Sequence, residues 1–471
     1  MADYDRLESL DDSFLKLEGL DTPMHVGALS VFEGEPLLDD EGRFRLAEAR
    51  EMVASRLHLV PRFRKRLMEV PLDLDRPIWV DDDSFDIAYH VRLTALPRPG
   101  TWDQLATLTT RVQSQLLDRA RPLWEIWFVE GLEDNRVALI QKTHHALVDG
   151  ASGVDVATVL LDFEREPTVL DPPEWVSEPP PSPAGLLVDS LREQVTQPAK
   201  LIERVGSFLR APVRALERGL GVARSLSTML GRDTVAPRTS LNQAVGRHRR
   251  FDVVRVPLDD AKAARRELGG TVNDVVLSAV GSGLARLFEN RGESPEHVRA
   301  MIPVSVRAGD EHMQLGNRVS AMFVNLPVVA DGPLDRLKSI GAITSELKDR
   351  HQAVGAEFLV GLTRYAAPTL LSLASRAVHN QPFFNLVITN VPGPQQPLYT
   401  LGARMLEAFP IVPLAHNLTV GIAILSYDGQ LDIGVFADRD AAPDVEVLTA
   451  GIENGFAELR KLTEERAPHS A

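Results

Sequence analysis

No cysteine occurs anywhere in the 471 residues. Disulfides, thiol nucleophiles and cysteine-ligated metals are thereby excluded together. Basic charge is also short: 51 Lys and Arg stand against 66 Asp and Glu, a formal net charge of -15. That balance argues against a general basic surface, so no nucleic acid is expected as a partner. No apolar run reaches the ~18 uninterrupted residues that a spanning helix needs, and any membrane contact is expected to be peripheral. The first residues, Met1-Ala2-Asp3-Tyr4-Asp5-Arg6, lack the basic stretch and apolar core of a signal peptide, so a cytoplasmic location is expected.

What remains is an ordinary globular composition, 44% hydrophobic and 25% charged, in a chain long enough for two cores. Apolar alternation and runs predict strands over 25–32, 87–96, 123–130 and 136–142, with helical spacing over 45–57 and 102–117. This reads as an α/β domain over residues 1–165. A proline-rich run, Asp171-Pro172-Pro173-Glu174 to Pro179-Pro180-Pro181-Ser182-Pro183, ends it and reads as an extended connection. Together with the stretch 199–232 it forms a linker over 166–238. That stretch has apolar residues at three- and four-residue spacing, a break at Pro212 and a net charge of +5. Two readings of it stand side by side: an interfacial helix on an anionic lipid surface, or a linker helix with a solvated basic face. Over 239–471 the mixed pattern returns. Strands are predicted near 251–257, 301–306, 318–326, 384–388, 420–427 and 431–436, and helices near 259–268, 272–288, 333–350, 356–378 and 443–462.

The chemistry is concentrated in His144-His145-Ala146-Leu147-Val148-Asp149-Gly150, directly after the apolar run Val137-Ala138-Leu139-Ile140. Histidine takes and returns a proton near neutral pH, so an imidazole at a strand end suits general base work. A packed, hydrogen-bonded histidine pair followed by an Asp-Gly turn is the alternative. His145 and Asp149 lie four residues apart. If the turn continues helically Asp149 can orient the imidazole; otherwise it is available to pair with an arginine. A hydrolase built on Ser152 lacks the GxSxG elbow. A metal site from His144, His145 and Asp149 lacks HExxH spacing, and adjacent histidines in a strand point to opposite faces.

The heptapeptide resembles the HHxxxDG signature of the bacterial wax ester synthase/diacylglycerol acyltransferase family, within the CoA-dependent acyltransferase superfamily. Further landmarks occur in the family's order: Pro23-Met24-His25-Val26-Gly27, Pro61-Arg62-Phe63-Arg64, Arg121-Pro122-Leu123-Trp124-Glu125, Thr271-Val272-Asn273-Asp274, Pro303-Val304-Ser305-Val306-Arg307, Thr389-Asn390-Val391-Pro392-Gly393-Pro394, Leu425-Ser426-Tyr427-Asp428-Gly429 and Ala437-Asp438-Arg439-Asp440. The resemblance implies two chloramphenicol-acetyltransferase-like α/β domains with mixed sheets, a long crossover and a tunnel between them. It implies acyl-CoA as co-substrate and a diacylglycerol or long-chain alcohol as acceptor, at a peripheral membrane or lipid-droplet surface, with no metal or bound organic cofactor. His145 would be the general base and no covalent acyl-enzyme would form. Asp149 would brace the turn through an arginine, with Arg307, Arg318 and Arg439 as candidates. His144 would orient His145 or pack, and Gly150 would keep the tunnel open. Asn273 and Asn390 are candidate oxyanion donors, Asn273 alternatively being a helix N-cap. Pro122-Leu123-Trp124 would pack behind the catalytic strand, and Gly402 would line a lipid pocket. An acyltransferase of another superfamily branch, or a non-catalytic lipid-binding relative, would share the fold.

Overall fold

The computed structural model describes residues 4–147, 161–168, 170–196, 235–305, 319–351 and 383–466. The predicted helix 356–378, the basic stretch 199–232, and Asp149, Gly150, Ser152, Arg307 and Arg318 lie outside the described residues. In chain order the first half forms α1 (Ser9–Leu17), β1 (His25–Glu33), α2 (Leu46–Arg56), β2 (Lys65–Met68), β3 (Ile78–Asp81), α3 (Ile87–His90), β4 (Val91–Ala95), α4 (Trp102–Ser114), β5 (Trp124–Leu132) and β6 (Arg136–His144). After α5 (Pro183–Thr196) come β7 (Arg249–Pro257), α6 (Leu258–Leu268), α7 (Val272–Asn290), β8 (His297–Ser305), β9 (Val319–Pro327), α8 (Pro333–His351), β10 (Leu386–Pro392), β11 (Tyr399–Thr400), β12 (Ala403–Ile411), β13 (Val420–Tyr427), β14 (Gln430–Asp438) and α9 (Val445–Arg466).

Twelve of these strands form two six-stranded sheets, ordered β11-β12-β1-β6-β5-β4 and β7-β14-β13-β10-β8-β9, and β2 pairs with β3 in a separate two-stranded sheet. Both are mixed. β4 runs parallel to β5, and β10 runs parallel to both β8 and β13, while the other pairs within these sheets are antiparallel. The expected α/β class with mixed sheets is therefore the observed one. β13 and β14 are buried along almost their whole length, which is why both read as near-continuous apolar runs. On the second sheet α7 and α9 pack with almost no gap. A Cβ on Gly283 would lie 2.5 Å from Ile452 Cγ1, and one on Gly455 would lie 2.9 Å from Ala279 Cα. Only glycine permits that approach.

Besides α1, β2, β3, α5 and β11, where no element was expected, two segments differ from the sequence expectation. The predicted strand 87–96 begins as the helical turn α3, because the Asp86 carboxylate accepts the Ala88 N–H at 2.8 Å and caps it. Only 91–95 is strand. Conversely β12 was not predicted. It contains Pro410, which cannot donate to a ladder, but β11 pairs only with Arg404 and Ala403, so no β11 residue faces Pro410. Through β12 the second half of the chain enters the first sheet, antiparallel to β1. The seam between the sheets is mixed: Arg255 of β7 pairs with Glu407 at 2.6 Å and lies over Trp102 and Phe409, and Ala408 N–H donates to Asp432 Oδ2 at 2.8 Å.

Candidate active site

β6 runs between β1 and β5 and ends on the histidine pair, with His25 of β1 directly across from His144. The backbone of the pair is fixed from both sides. His144 donates its N–H to Leu123 O at 2.9 Å, and His145 donates to Met24 O at 2.8 Å. The Pro-Met-His and Pro-Leu-Trp segments thus grip successive amides of the motif. The chain then turns: Leu147 N–H donates to His144 O at 2.9 Å, and Ala146 N–H donates to His144 Nδ1 at 3.0 Å.

The two rings are treated differently. His144 is 1% exposed, whereas His145 is half-buried and stacks on Phe14 of α1, with ring centroids 3.9 Å apart at 19°. Since its Nδ1 accepts from Ala146, a neutral His144 carries its proton on Nε2. That nitrogen lies 3.4 Å from Glu18 Oε1, and His25 Nε2 lies 3.2 Å from the same oxygen, which also accepts the Met24 N–H at 3.2 Å. Arg119 donates to the other oxygen, Oε2, at 2.9 Å and to Leu15 O at 2.8 Å. Burial drives the Glu18 carboxyl upward, but His144 and His25 together outweigh it and hold the carboxyl well below the usual range. Burial pushes His25 down to about 4 despite the pull of Glu18, so it is neutral around pH 7. Lys142, two residues earlier on the same face of β6, is 1% exposed and donates to Gln115 O. Desolvation lowers it to about 8.

Behind β5, Trp124 donates its indole N–H to Phe63 O at 2.8 Å and stacks on His90 at 4.5 Å. The His90 Nδ1 lies 2.8 Å from Trp124 O, and burial pushes that imidazole down to about 4. Phe85 covers the other side of His90 at 5.1 Å. Trp124 is therefore a packing residue in an aromatic column, and it holds the strand whose neighbour carbonyl at Leu123 fixes His144.

Asn273 and Asn390, 117 residues apart in sequence, are joined: Asn390 Nδ2 donates to Asn273 Oδ1 at 3.0 Å. Asn273 is not the helix N-cap. Thr271 is, with Asp274 closing a capping box, because a threonine hydroxyl followed three residues later by a carboxylate satisfies both end amides. Gly402 occupies the two-residue turn between β11 and β12, with φ of +83 and Leu401 at +49, and its carbonyl accepts from Arg165 at 3.1 Å. The turn alone accounts for that glycine. Arg439 lies exposed at 3.2 Å from Asp440. Sequence reading missed Glu18 and Arg119. Their nearest signals are a carboxylate just after a helical run and the Asp118-Arg119-Ala120-Arg121 run ahead of Pro122.

Residues 7–276 match the wax ester synthase/diacylglycerol acyltransferase catalytic domain, and residues 315–460 match the WS/DGAT C-terminal domain. A probable diacylglycerol O-acyltransferase of Mycobacterium tuberculosis, tgs1, is 34% identical over 98% of this chain and 96% of its own. A putative diacylglycerol O-acyltransferase of the same species is 35% identical over 97% and 99%. The wax ester synthase/diacylglycerol acyltransferase from Marinobacter aquaeolei VT8 superposes with a TM-score of 0.70 at 28% identity, over 98% of this chain and 100% of that one. The first condensation domain of the CDA synthetase shares the fold at 14% identity, with a TM-score of 0.57 over 98% and 97% of the two chains. By the extent of these matches and the order of its motifs, the chain belongs to the wax ester synthase/diacylglycerol acyltransferase family of acyltransferases.

Proposed function

We propose that this chain transfers the acyl group of an acyl-CoA thioester to the hydroxyl of a diacylglycerol, and to a long-chain alcohol less readily, with His145 as general base. The observation that carries this reading is the division of labour within the pair: His144 is buried, its Nδ1 accepting from Ala146 and its Nε2 3.4 Å from the Glu18 carboxylate, while His145 keeps a half-buried ring on a backbone fixed at both amides. The His145 imidazole removes the acceptor hydroxyl proton as that oxygen attacks the thioester carbonyl. The C–S bond then breaks, and the imidazolium returns its proton to the departing thiolate. Base and acid are the same group, so no covalent acyl-enzyme forms. The Asn273–Asn390 pair is the proposed source of an amide donor to the developing oxyanion. Asp149 and Gly150 keep their proposed roles as brace and tunnel residue. The order of acceptors rests on the names of the mycobacterial relatives.

Among the described residues no helix is long and apolar enough to cross a membrane. Peripheral contact through residues 199–232 is part of the proposal, supported by their net +5 charge in a chain of -15. Charge reversal at Arg210, Arg214 and Arg218 is expected to weaken binding to anionic vesicles, and unchanged binding removes this part of the reading.

The test of the reaction measures free CoA released from palmitoyl-CoA, with lipid products resolved, using dioleoylglycerol or hexadecanol as acceptor. Acceptor-dependent release with an ester product is expected, falling by roughly 10²- to 10⁴-fold in His145→Ala. Acceptor-dependent release that survives in His145→Ala removes His145 from the mechanism, and release without acceptor makes the chain a thioesterase.

A further inference from the structure

The geometry points to Glu18 as the positioning residue of the reaction: its carboxylate holds His144 in one tautomer and one orientation, and through the 144–147 turn fixes where the His145 ring stands. The inference rests on the reading of His145 as base.

Four groups surround the Glu18 carboxylate. Oε1 faces three groups, Met24 N–H, His25 Nε2 and His144 Nε2, at 3.2, 3.2 and 3.4 Å. Oε2 takes the Arg119 guanidinium at 2.9 Å, so the carboxylate cannot rotate without breaking an ion pair. The Glu18 side chain is 3% exposed. A carboxylate this buried is costly unless each lone pair has a partner, and the groups around it are His144 itself, Met24 and His25 of a gripping segment, and Arg119. Met24 supplies both an amide to Glu18 and a carbonyl to His145. Arg119 lies three residues ahead of Pro122, whose segment holds the His144 amide through Leu123 O.

His144 is the link. Its Nδ1 accepts the Ala146 N–H, an acceptance possible only while that nitrogen is unprotonated. A proton on Nε2 facing an anionic oxygen is the arrangement that keeps it so. Without Glu18 the ring has no anionic partner at Nε2, the other tautomer becomes accessible, and its Nδ1–H would confront the Ala146 N–H. The turn then loses its internal tie one residue beyond His145. Lys142, buried on the same strand face, adds a cation that Glu18 helps to balance, together with Glu125.

The loop that follows Glu18 is held from the second half of the chain. Gly19 and Thr22 close it by reciprocal backbone bonds at 3.2 and 3.1 Å. Arg247 donates to the Asp21 carboxylate at 2.9 Å, and Arg249, buried beside Asp438 at 3.5 Å, donates to Asp21 O. The carboxylate is thus anchored at its own end as well as at its partners.

The experiment compares wild type, Glu18→Ala, Glu18→Gln and His145→Ala. It reads kcat and KM for palmitoyl-CoA with dioleoylglycerol, the thermal midpoint, and the side-chain ¹⁵N shifts of His144 in histidine-labelled protein. Glu18→Ala is expected to lower kcat on the order of 10- to 100-fold with KM within twofold, and to move the His144 shifts from a pure Nε2–H pattern toward a mixture. Glu18→Gln keeps an oxygen able to accept from Nε2–H, so it should recover part of both. If Glu18→Ala fails to fold, Glu18→Gln decides by the same two readouts. A kcat within twofold of wild type, a loss expressed in KM alone, or an unchanged tautomer in the variant overturns the proposal. Active His145→Ala overturns the base reading instead. The ¹⁵N readout needs no turnover, so the two failures stay separate.

Discussion

β6 and β13 occupy central positions in their respective sheets, yet they bury opposite things. β6 ends by burying Lys142, Thr143 and His144 in succession, whereas β13 buries Val420, Ile422, Ala423, Ile424 and Leu425. Polar groups taken out of water cost free energy unless each finds a partner, and apolar ones stabilise by burial alone. The partners of the β6 groups come from several separate segments: Gln115 O for Lys142, Leu123 O and Ala146 N–H for His144, and Glu18 from α1. β13 makes one such demand, at its end, where the buried Tyr427 hydroxyl accepts from Leu398 N–H at 2.8 Å and donates to Met405 O at 3.0 Å. The first sheet buries polar groups that must be partnered from several segments, whereas the interior of the second is mostly apolar.

The contrast is open to attack from the apolar side first. Phe288 of α7 is fully buried, and Phe288→Ala should cost about 3–5 kcal/mol of stability. Denaturant unfolding should show the loss while the folded fraction keeps its kcat within twofold; a fall in kcat at unchanged stability would break the division between scaffold and site.

Acid sharpens the contrast next. Burial holds His25 and His90 near 4, against an ordinary 6.5. The unfolded chain therefore binds protons that the folded chain refuses. The stability they permit is fully present above pH 6.5 and is lost as pH falls toward 4, by roughly 2 kcal/mol for each at pH 5. Asp432, at the seam, has the opposite sign. Burial raises it to about 7 from 3.8, so the folded chain holds a proton that the unfolded chain gives up. Its contribution is full below pH 3.8 and is lost as pH rises through 7. Urea midpoints at pH 5 and pH 8 should show the alkaline loss disappearing in Asp432→Asn while the acid loss persists. An alkaline loss that survives the substitution would assign it to other groups.

The smallest effect is expected at Gly402. An added Cβ would meet Arg165 O at 3.3 Å and the φ is +83, so Gly402→Ala should cost about 1 kcal/mol through backbone strain. Product acyl-chain length should not change. A shift in chain length would return this glycine to the lipid pocket first envisaged for it.

Most strands were legible because alternation and apolar runs are local properties: 25–32, 136–142 and 420–427 are strand as expected. The 87–96 segment misled because its apolar spacing does not reveal that Asp86 caps a turn. β12 was hidden by Pro410 and by a partner strand that lies almost the whole chain away. The same distance explains the site. His144 and His145 announced themselves as a pair in a short motif, and the Asn273–Asn390 contact joined two residues already suspected. Glu18 and Arg119 carry no local mark, since a carboxylate after a helix is ordinary until folding sets it against an imidazole 126 residues later.

The placement of β12 has a consequence for synthesis. Gly27, near the start of β1, pairs on one side with Lys142 and on the other with Ile411. A growing chain can form the first pairing once Lys142 has emerged but must wait for the much later Ile411 to form the second. Until then β1 offers a row of unpaired amides and carbonyls to any other nascent strand nearby. The sheet that carries the histidine pair thus begins to form long before it can be completed.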